Sequence, residues 1–297
     1  MMNKIEDFIF RIYRIIGRTI IKYSGDIRPA SLPYITGDGF RKLAQHIYDQ
    51  ADKSIDPEKV RQGEIVFVGD SLIKKFLAEI HPRINVKYVL ISHNGDEPVD
   101  AAALALAKDK VIKWYGINVT VNHPLVVPIP LGIENKHYYV CGIPSVFRGV
   151  IRKNYPKKTR IFYGFTATTN PEERMPALEA MKRHPLAETV KAWRGFKPYL
   201  HLLAHYKFVA SPPGSSVEGH RTWDALYLGM VPIVKASITT NYFEKIGVPA
   251  WKLNDWRELD NMDEKALEQK FIEVQSKGNK SAMFMDYWTD KVLNTRD

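Results

Sequence analysis

The chain of 297 residues has a single cysteine, Cys141. One thiol excludes an intrachain disulfide framework and a four-cysteine zinc site, so Cys141 reads as a small apolar residue of an intracellular protein and redox chemistry has no carrier. No stretch approaches 18 consecutive apolar residues, and the N-terminus lacks an apolar core followed by a small-residue cleavage site. Neither a spanning helix nor secretion is expected, and the expected location is the cytoplasm. GxxxxGK[ST], HExxH, GxSxG and a GxGxxG between strand and helix are all missing. Their absence removes the common signatures of phosphate-loop, metalloprotease, hydrolase and dinucleotide sites. There is no DxD triplet either, the usual cue for a diphosphate held through a divalent cation, so no metal ligands are expected.

What is present in excess is positive charge. Forty-three Lys and Arg against 33 Asp and Glu leave a formal charge of +10, which points to anionic partners. Neither an RNP-like strand nor a Lys/Arg stripe on one helix supports nucleic acid as that partner. In the first 23 residues Ile5, Phe8, Ile9, Ile12, Ile16 and Ile20 recur at helical spacing beside Arg11, Arg14, Arg18 and Lys22. Such an amphipathic helix either packs on its own domain or lies in an anionic membrane interface.

The rest alternates between strand and helix patterns. Residues 40–60 read as helix, 64–70 as strand, 71–80 as helix, 85–96 as strand, 99–109 as helix and 111–119 as strand, with a short edge element at 126–130. From about 131 to 158 no period is sustained, and 136–158 is the expected linker. The alternation resumes with strands at 159–165, 188–193, 207–211, 231–237 and 250–256. Helices are expected at 171–184, 197–206, 219–228 and 240–246, and the C-terminal stretch is largely helical with a break at Gly278. This pattern predicts an α/β protein of two Rossmann-like domains facing across a cleft, 1–135 and 159–297, with the last helix able to pack back on the first. Ligands of such sheets sit where strands end and helices begin.

Three strand ends carry candidate chemistry. In SHNGD (92–96), Asn-Gly-Asp is either a turn or a polar group exposed for proton transfer, with Asp96 and then His93 as candidate base. Asp70, in GDS, is either a helix cap or a further candidate. In GFTATTNPEER (164–174), Asn170 can cap a helix that begins at Pro171, and Arg174 lies one turn in, as a surface residue or a phosphate ligand. The stretch FVASPPGSSVEGHRTWDALYLGMVPIVKAS (208–237) repeats that geometry. Gly214, Ser215 and Ser216 form a loop, His220 and Arg221 open a helix, and Asp224 follows three residues on. An arginine there can neutralise a diphosphate while a carboxylate one turn away accepts from ribose hydroxyls; an internal Arg–Asp pair is the alternative.

The run 208–237 with NDW at 254–256 resembles the nucleotide-sugar-binding region of exostosin-like glycosyltransferases, with weaker echoes at PIPLGIEN (128–135) and 164–174. The resemblance implies the GT-B fold, a nucleoside-diphosphate sugar held mainly by the second domain, and no metal requirement. It assigns Arg221 to phosphate and places Asp224 where a glutamate more often contacts ribose. It also implies an inverting transfer with the base on the first domain. Lacking an anchor, the chain looks like a bacterial enzyme of surface polysaccharide synthesis, such as lipopolysaccharide or capsule. Its acceptor would be a glycan, polyprenyl-diphosphate-linked, met at the cytoplasmic face of the inner membrane. A nucleotide-sugar hydrolase or epimerase and a noncatalytic nucleotide- or glycan-binding protein are the competing readings.

Overall fold

The computed structural model describes residues 28–138, 141–190 and 195–295, together with Phe8, Ile12, Ile15, Ile16 and Thr19. Most of the amphipathic helix expected in the first 23 residues therefore lies outside the described residues. The chain divides into two compact units, one of Arg11–Tyr139 with Phe284–Asp297 and the other of Met1–Phe10 with Val140–Met283.

The first unit is a five-stranded parallel sheet of β1 (His46–Tyr48), β2 (Ile65–Gly69), β3 (Tyr88–His93), β4 (Val111–Gly116) and β5 (Val126–Pro128), in that spatial order. Every residue of β2 and β3 is buried. That is why these segments read as unbroken apolar runs rather than as alternations. The helix expected over 40–60 does not form. The α-helix Gly37–Arg41 ends just inside that range, a single 3-10 turn follows at Pro57–Lys59, and between them β1 pairs with β2. The chain then turns because the Asp49 side chain accepts from the backbone N–H of Ala51 and Asp52, at 2.8 and 2.9 Å, which offers the backbone an alternative to helix.

The helix Met285–Leu293 belongs to this unit. The Met285 N–H donates to Pro33 O at 3.0 Å, the Tyr115 hydroxyl donates to Lys291 O at 3.0 Å, and Trp288 packs edge-on to Phe40. Residues 136–158, expected as a linker, hold the helix Pro144–Ile151, whose Phe147 packs on Phe196 and Tyr227 in the second unit.

The second unit is again all parallel: β6 (Lys158–Phe162), β7 (Ala187–Glu188), β8 (Tyr206–Ala210), β9 (Val231–Lys235) and β10 (Trp251–Leu253). Its spatial order is β10-β9-β8-β6-β7. The chain moves from β6 to one side and then returns to the other, so the loops after β6 and β8 diverge and leave a crevice at their carboxyl ends. Beneath it, Ile161, Phe208, Ile233 and Leu253 join Ala177, Trp256 and Leu267 in one core. The strand expected at 188–193 is only Ala187–Glu188 among the described residues.

One glycine of the PIPLGIEN stretch is dictated by backbone packing. Gly132 has φ +71°, and a Cβ there would lie 2.2 Å from Ile35 O, the same carbonyl that accepts from Ile133 N–H at 2.9 Å. A side chain would combine left-handed strain with a clash against backbone. Gly132→Ala is expected to cost about 3 kcal/mol in urea unfolding; an unchanged midpoint would show that this contact is not tight.

Candidate functional site

In the second unit the sequence patterns at 164–174 and 208–221 meet at the β6/β8 crevice. After β6 the chain runs through Gly164 and Thr166 to Asn170, whose side-chain oxygen caps the helix Pro171–Arg183 by accepting from Glu173 N–H at 3.3 Å. The Asn170 amide in turn donates to Gly214 O at 2.9 Å, across the crevice. Arg174 ties the same two loops more strongly: its Nε donates to Pro213 O at 2.8 Å and its Nη1 to Thr166 O at 2.9 Å. Gly214 lies close against the same guanidinium: a Cβ there would sit 2.5 Å from Arg174 Nη2, so a larger residue would displace that end of the side chain.

Arg221 enters from the helix His220–Tyr227. Its N-cap is Gly219, which makes no side-chain cap hydrogen bond, so the first-turn N–H groups are not closed off by a capping side chain. The Arg221 Nη2 donates to Gly164 O at 2.6 Å, its Nε is buried with no partner, and the Tyr199 hydroxyl lies within hydrogen-bonding reach. The helix is anchored below by Trp223, whose indole N–H donates to Glu218 at 3.0 Å, and by a 2.8 Å bond between the Ser211 and Thr222 hydroxyls.

Every hydrogen bond described for the two guanidinium groups runs to a neutral oxygen. Arg174 has its pKa lowered, first by burial and then by the positive charge of Arg221. Two cations close enough to repel are thus held in place by carbonyl dipoles. Burial raises the Tyr199 pKa against the opposing pull of Arg221, so its phenol stays neutral and can donate.

The other residues expected here are arranged less uniformly. Asp224 is only 6% exposed, and its charge acts on Tyr199, so the carboxylate is largely withdrawn from solvent. His220 and Ser216 are half-buried and Ser215 is exposed. Tyr199 and the carbonyls of Gly164, Thr166 and Pro213 went unread in the sequence. An aromatic on the apolar face of the helix Phe196–Leu203 has no feature to separate it from core.

In the first unit the structure separates the two candidate bases by environment. Asp96 is exposed. His93 is 1% exposed and stacked on Phe40. Its Nε2 donates to Pro130 O at 3.0 Å, and its Nδ1 accepts from Asn94 N–H at 2.7 Å. Both ring nitrogens are thus committed to backbone, which makes His93 a structural histidine and corrects its reading as a base. Asp70 is 1% exposed and neither of its carboxylate oxygens has a hydrogen-bond partner. Burial drives its pKa well above 3.8, and Asp96 and Glu97 push the same way. The Ser92 hydroxyl opposes them but forms no hydrogen bond of normal geometry.

No protein-family model matches the chain, and no curated protein sequence matches it. Similar solved structures include OtsA in its apo form, at TM-score 0.48 and 10% identity over 80% of this chain and 74% of that one. A second is the Methanocaldococcus jannaschii UDP-GlcNAc 2-epimerase in complex with UDP-GlcNAc and UDP, at TM-score 0.32 and 9% identity over 72% and 76%. A third is the pneumococcal O-GlcNAc transferase GtfA in complex with UDP and GlcNAc, at TM-score 0.37 and 10% identity over 80% and 57%. These likenesses carry no argument about chemistry, and the α/β assignment rests on the two parallel sheets themselves.

The Asp70 environment generates a pH prediction. Because its folded-state pKa is raised above 3.8, the folded protein holds a proton that the unfolded chain releases. Its contribution to stability is therefore greatest below pH 3.8 and is lost as pH rises through the higher folded value. Asp70→Asn should remove that loss and raise Tm at pH 7 by roughly 2–4 °C per kcal/mol regained, while leaving Tm at acid pH unchanged. A lower Tm at pH 7 would show that the charged carboxylate is stabilised in the fold.

Proposed function

We propose that this protein is a glycosyltransferase of the GT-B type that moves a sugar from a nucleoside-diphosphate donor to a glycan acceptor. The observation that carries the reading is the convergence of Arg174 and Arg221 at the β6/β8 switch point. Their guanidinium groups are pinned by carbonyls, and the side-chain-uncapped helix start at Gly219 lies beside them. An extended dianion such as a diphosphate suits two forked donors and a helix N-terminus better than a single carboxylate does. The exostosin-like pattern over 208–237 supports the same assignment, with Arg221 on phosphate and Asp224 beside the ribose.

On this reading the sugar–phosphate bond breaks as the acceptor oxygen attacks the anomeric carbon from the opposite face, which inverts the configuration. Negative charge grows on the departing diphosphate, and Arg221, Arg174 and the helix N–H groups stabilise it where it develops. The two arginines supply the positive charge that a divalent cation provides in other sites, so transfer is expected to proceed in EDTA. The formal charge of +10 suits a lipid-linked acceptor presented at an anionic membrane surface, and no described helix is long and apolar enough to cross a membrane.

Calorimetric titration with UDP, GDP, CDP and dTDP, each with magnesium and with EDTA, tests the donor site. Micromolar binding of one of them that survives EDTA is expected. Arg221→Ala should weaken it at least 10-fold, the scale of a lost charge-assisted hydrogen bond, with little change in Tm. Arg174→Ala should weaken it as well and also lower Tm, because that side chain joins two loops of the fold. Absence of binding to all four diphosphates by folded protein would overturn the proposal.

A further inference from the structure

The second unit carries a groove that shares no residue with the β6/β8 site. It lies between the helix Pro144–Ile151 and the helix Phe196–Leu203 and has a volume of about 380 Å³, within the range of small-molecule sites. Lys197 and His201 line it from one face of the second helix, at i and i+4, whereas Tyr199 between them reaches Arg221. A helix turns about 100° per residue, so positions two apart face away from each other.

The floor is apolar. Val146 and Val150 lie one turn apart on the first helix, with Gly149 beside them. Gly149 is what keeps the groove open, since a Cβ built there meets nothing within 4 Å. Its φ is not positive and no neighbour approaches it closely, so the backbone does not require glycine at this position. Glycine weakens a helix interior. Its effect here is to leave clear the space that a side chain would fill.

The rim is positive. Lys153 and Lys197 line it, no carboxylate does, and neither ammonium has an ion-pair or hydrogen-bond partner among the described residues. Arg148 and Arg152, both exposed, add to the same field. The His201 pKa is lowered, first by burial and then by the charges of Lys197, Lys153 and His205, so its ring is uncharged at neutral pH. The Tyr155 hydroxyl, fixed by stacking on His205 at 4.3 Å, lies 2.9 Å from His201 Nδ1. When the phenol donates to Nδ1, the ring proton sits on Nε2 and offers a third donor.

We propose that this groove binds a phosphate monoester of an apolar chain, with the phosphate on Lys153, Lys197 and His201 and the chain along Val146, Gly149 and Val150. A phosphate near dianionic suits two ammonium groups and an imidazole N–H better than a single carboxylate does. The eight-residue helix spans about 12 Å, enough to lie beside a chain of roughly eight carbons. The inference does not depend on the glycosyl-transfer reading, because none of these residues belongs to the crevice.

Octyl phosphate, below its micelle concentration, is the probe. Titration of the full chain, read by calorimetry and by the histidine ring signals in NMR, should show saturable binding that shifts the His201 resonances. Lys153→Ala combined with Lys197→Ala should weaken binding by about 10-fold or more. Gly149→Leu fills the floor and should weaken it as much, with Tm unchanged or raised because leucine is the better helix former. Inorganic phosphate and octyl glucoside should each bind about 10-fold or more less tightly than octyl phosphate. Inorganic phosphate binding as tightly would overturn the role of the apolar floor, and octyl glucoside binding as tightly would overturn the phosphate assignment. Absence of saturable binding, or binding abolished by Arg221→Ala and untouched by the lysine pair, would overturn the groove as the site.

Discussion

The arrangement of the second unit depends on one side chain that bonds to backbone from both edges of a crevice. Arg174 reaches from the helix after β6 to Thr166 O on its own loop and to Pro213 O on the loop after β8. Without it, the two loops would be joined at this point chiefly by the Asn170 amide. The crevice follows from the strand order, which reverses between β6 and β8. Its shape follows from Arg174, whose guanidinium lies close against Gly214. Arg174 thus has a structural role in joining the loops, whereas Arg221 bonds Gly164 O and lies against the Tyr199 hydroxyl through a guanidinium that keeps an unpartnered Nε.

The first unit is organised differently. Its strands follow one another in sequence order across the sheet, so among the described strands no reversal opens a crevice. The buried charge network of Arg28, Asp38, Arg41 and Asp49 lies beside the start of a five-residue helix. Buried ion pairs of this kind seldom add stability over apolar packing.

Much of the second unit's site was legible from local pattern. A buried strand, a loop with Gly214 and a helix opening with Arg221 are contiguous, and the same pattern recurs at Phe162, Asn170 and Arg174. Such segments report their geometry because capping and strand burial depend on neighbours a few residues apart. The reading went wrong where local preference was weak. Residues 40–60 carry helix-compatible side chains, yet β1 forms because β2 supplies a partner. His93 looked available at a strand end, but Pro130 O occupies its Nε2 from 37 residues away.

The sequence by itself determined the α/β class, the strand-to-helix transitions and the anion-favouring pattern around Arg174 and Arg221, because these arise from short-range periodicity, backbone constraint and charge. Only the tertiary structure decided which polar groups are exposed, which are spent on backbone and which remain open. Asp70 and Asp96 are alike in sequence and opposite in environment. Asp38 and His137 are unremarkable until folding brings them into contact across 99 residues. The physical reason is that pKa, tautomer and hydrogen-bond satisfaction depend on solvent exclusion and on contacts remote in the chain, and neither is recorded in the order of neighbouring residues.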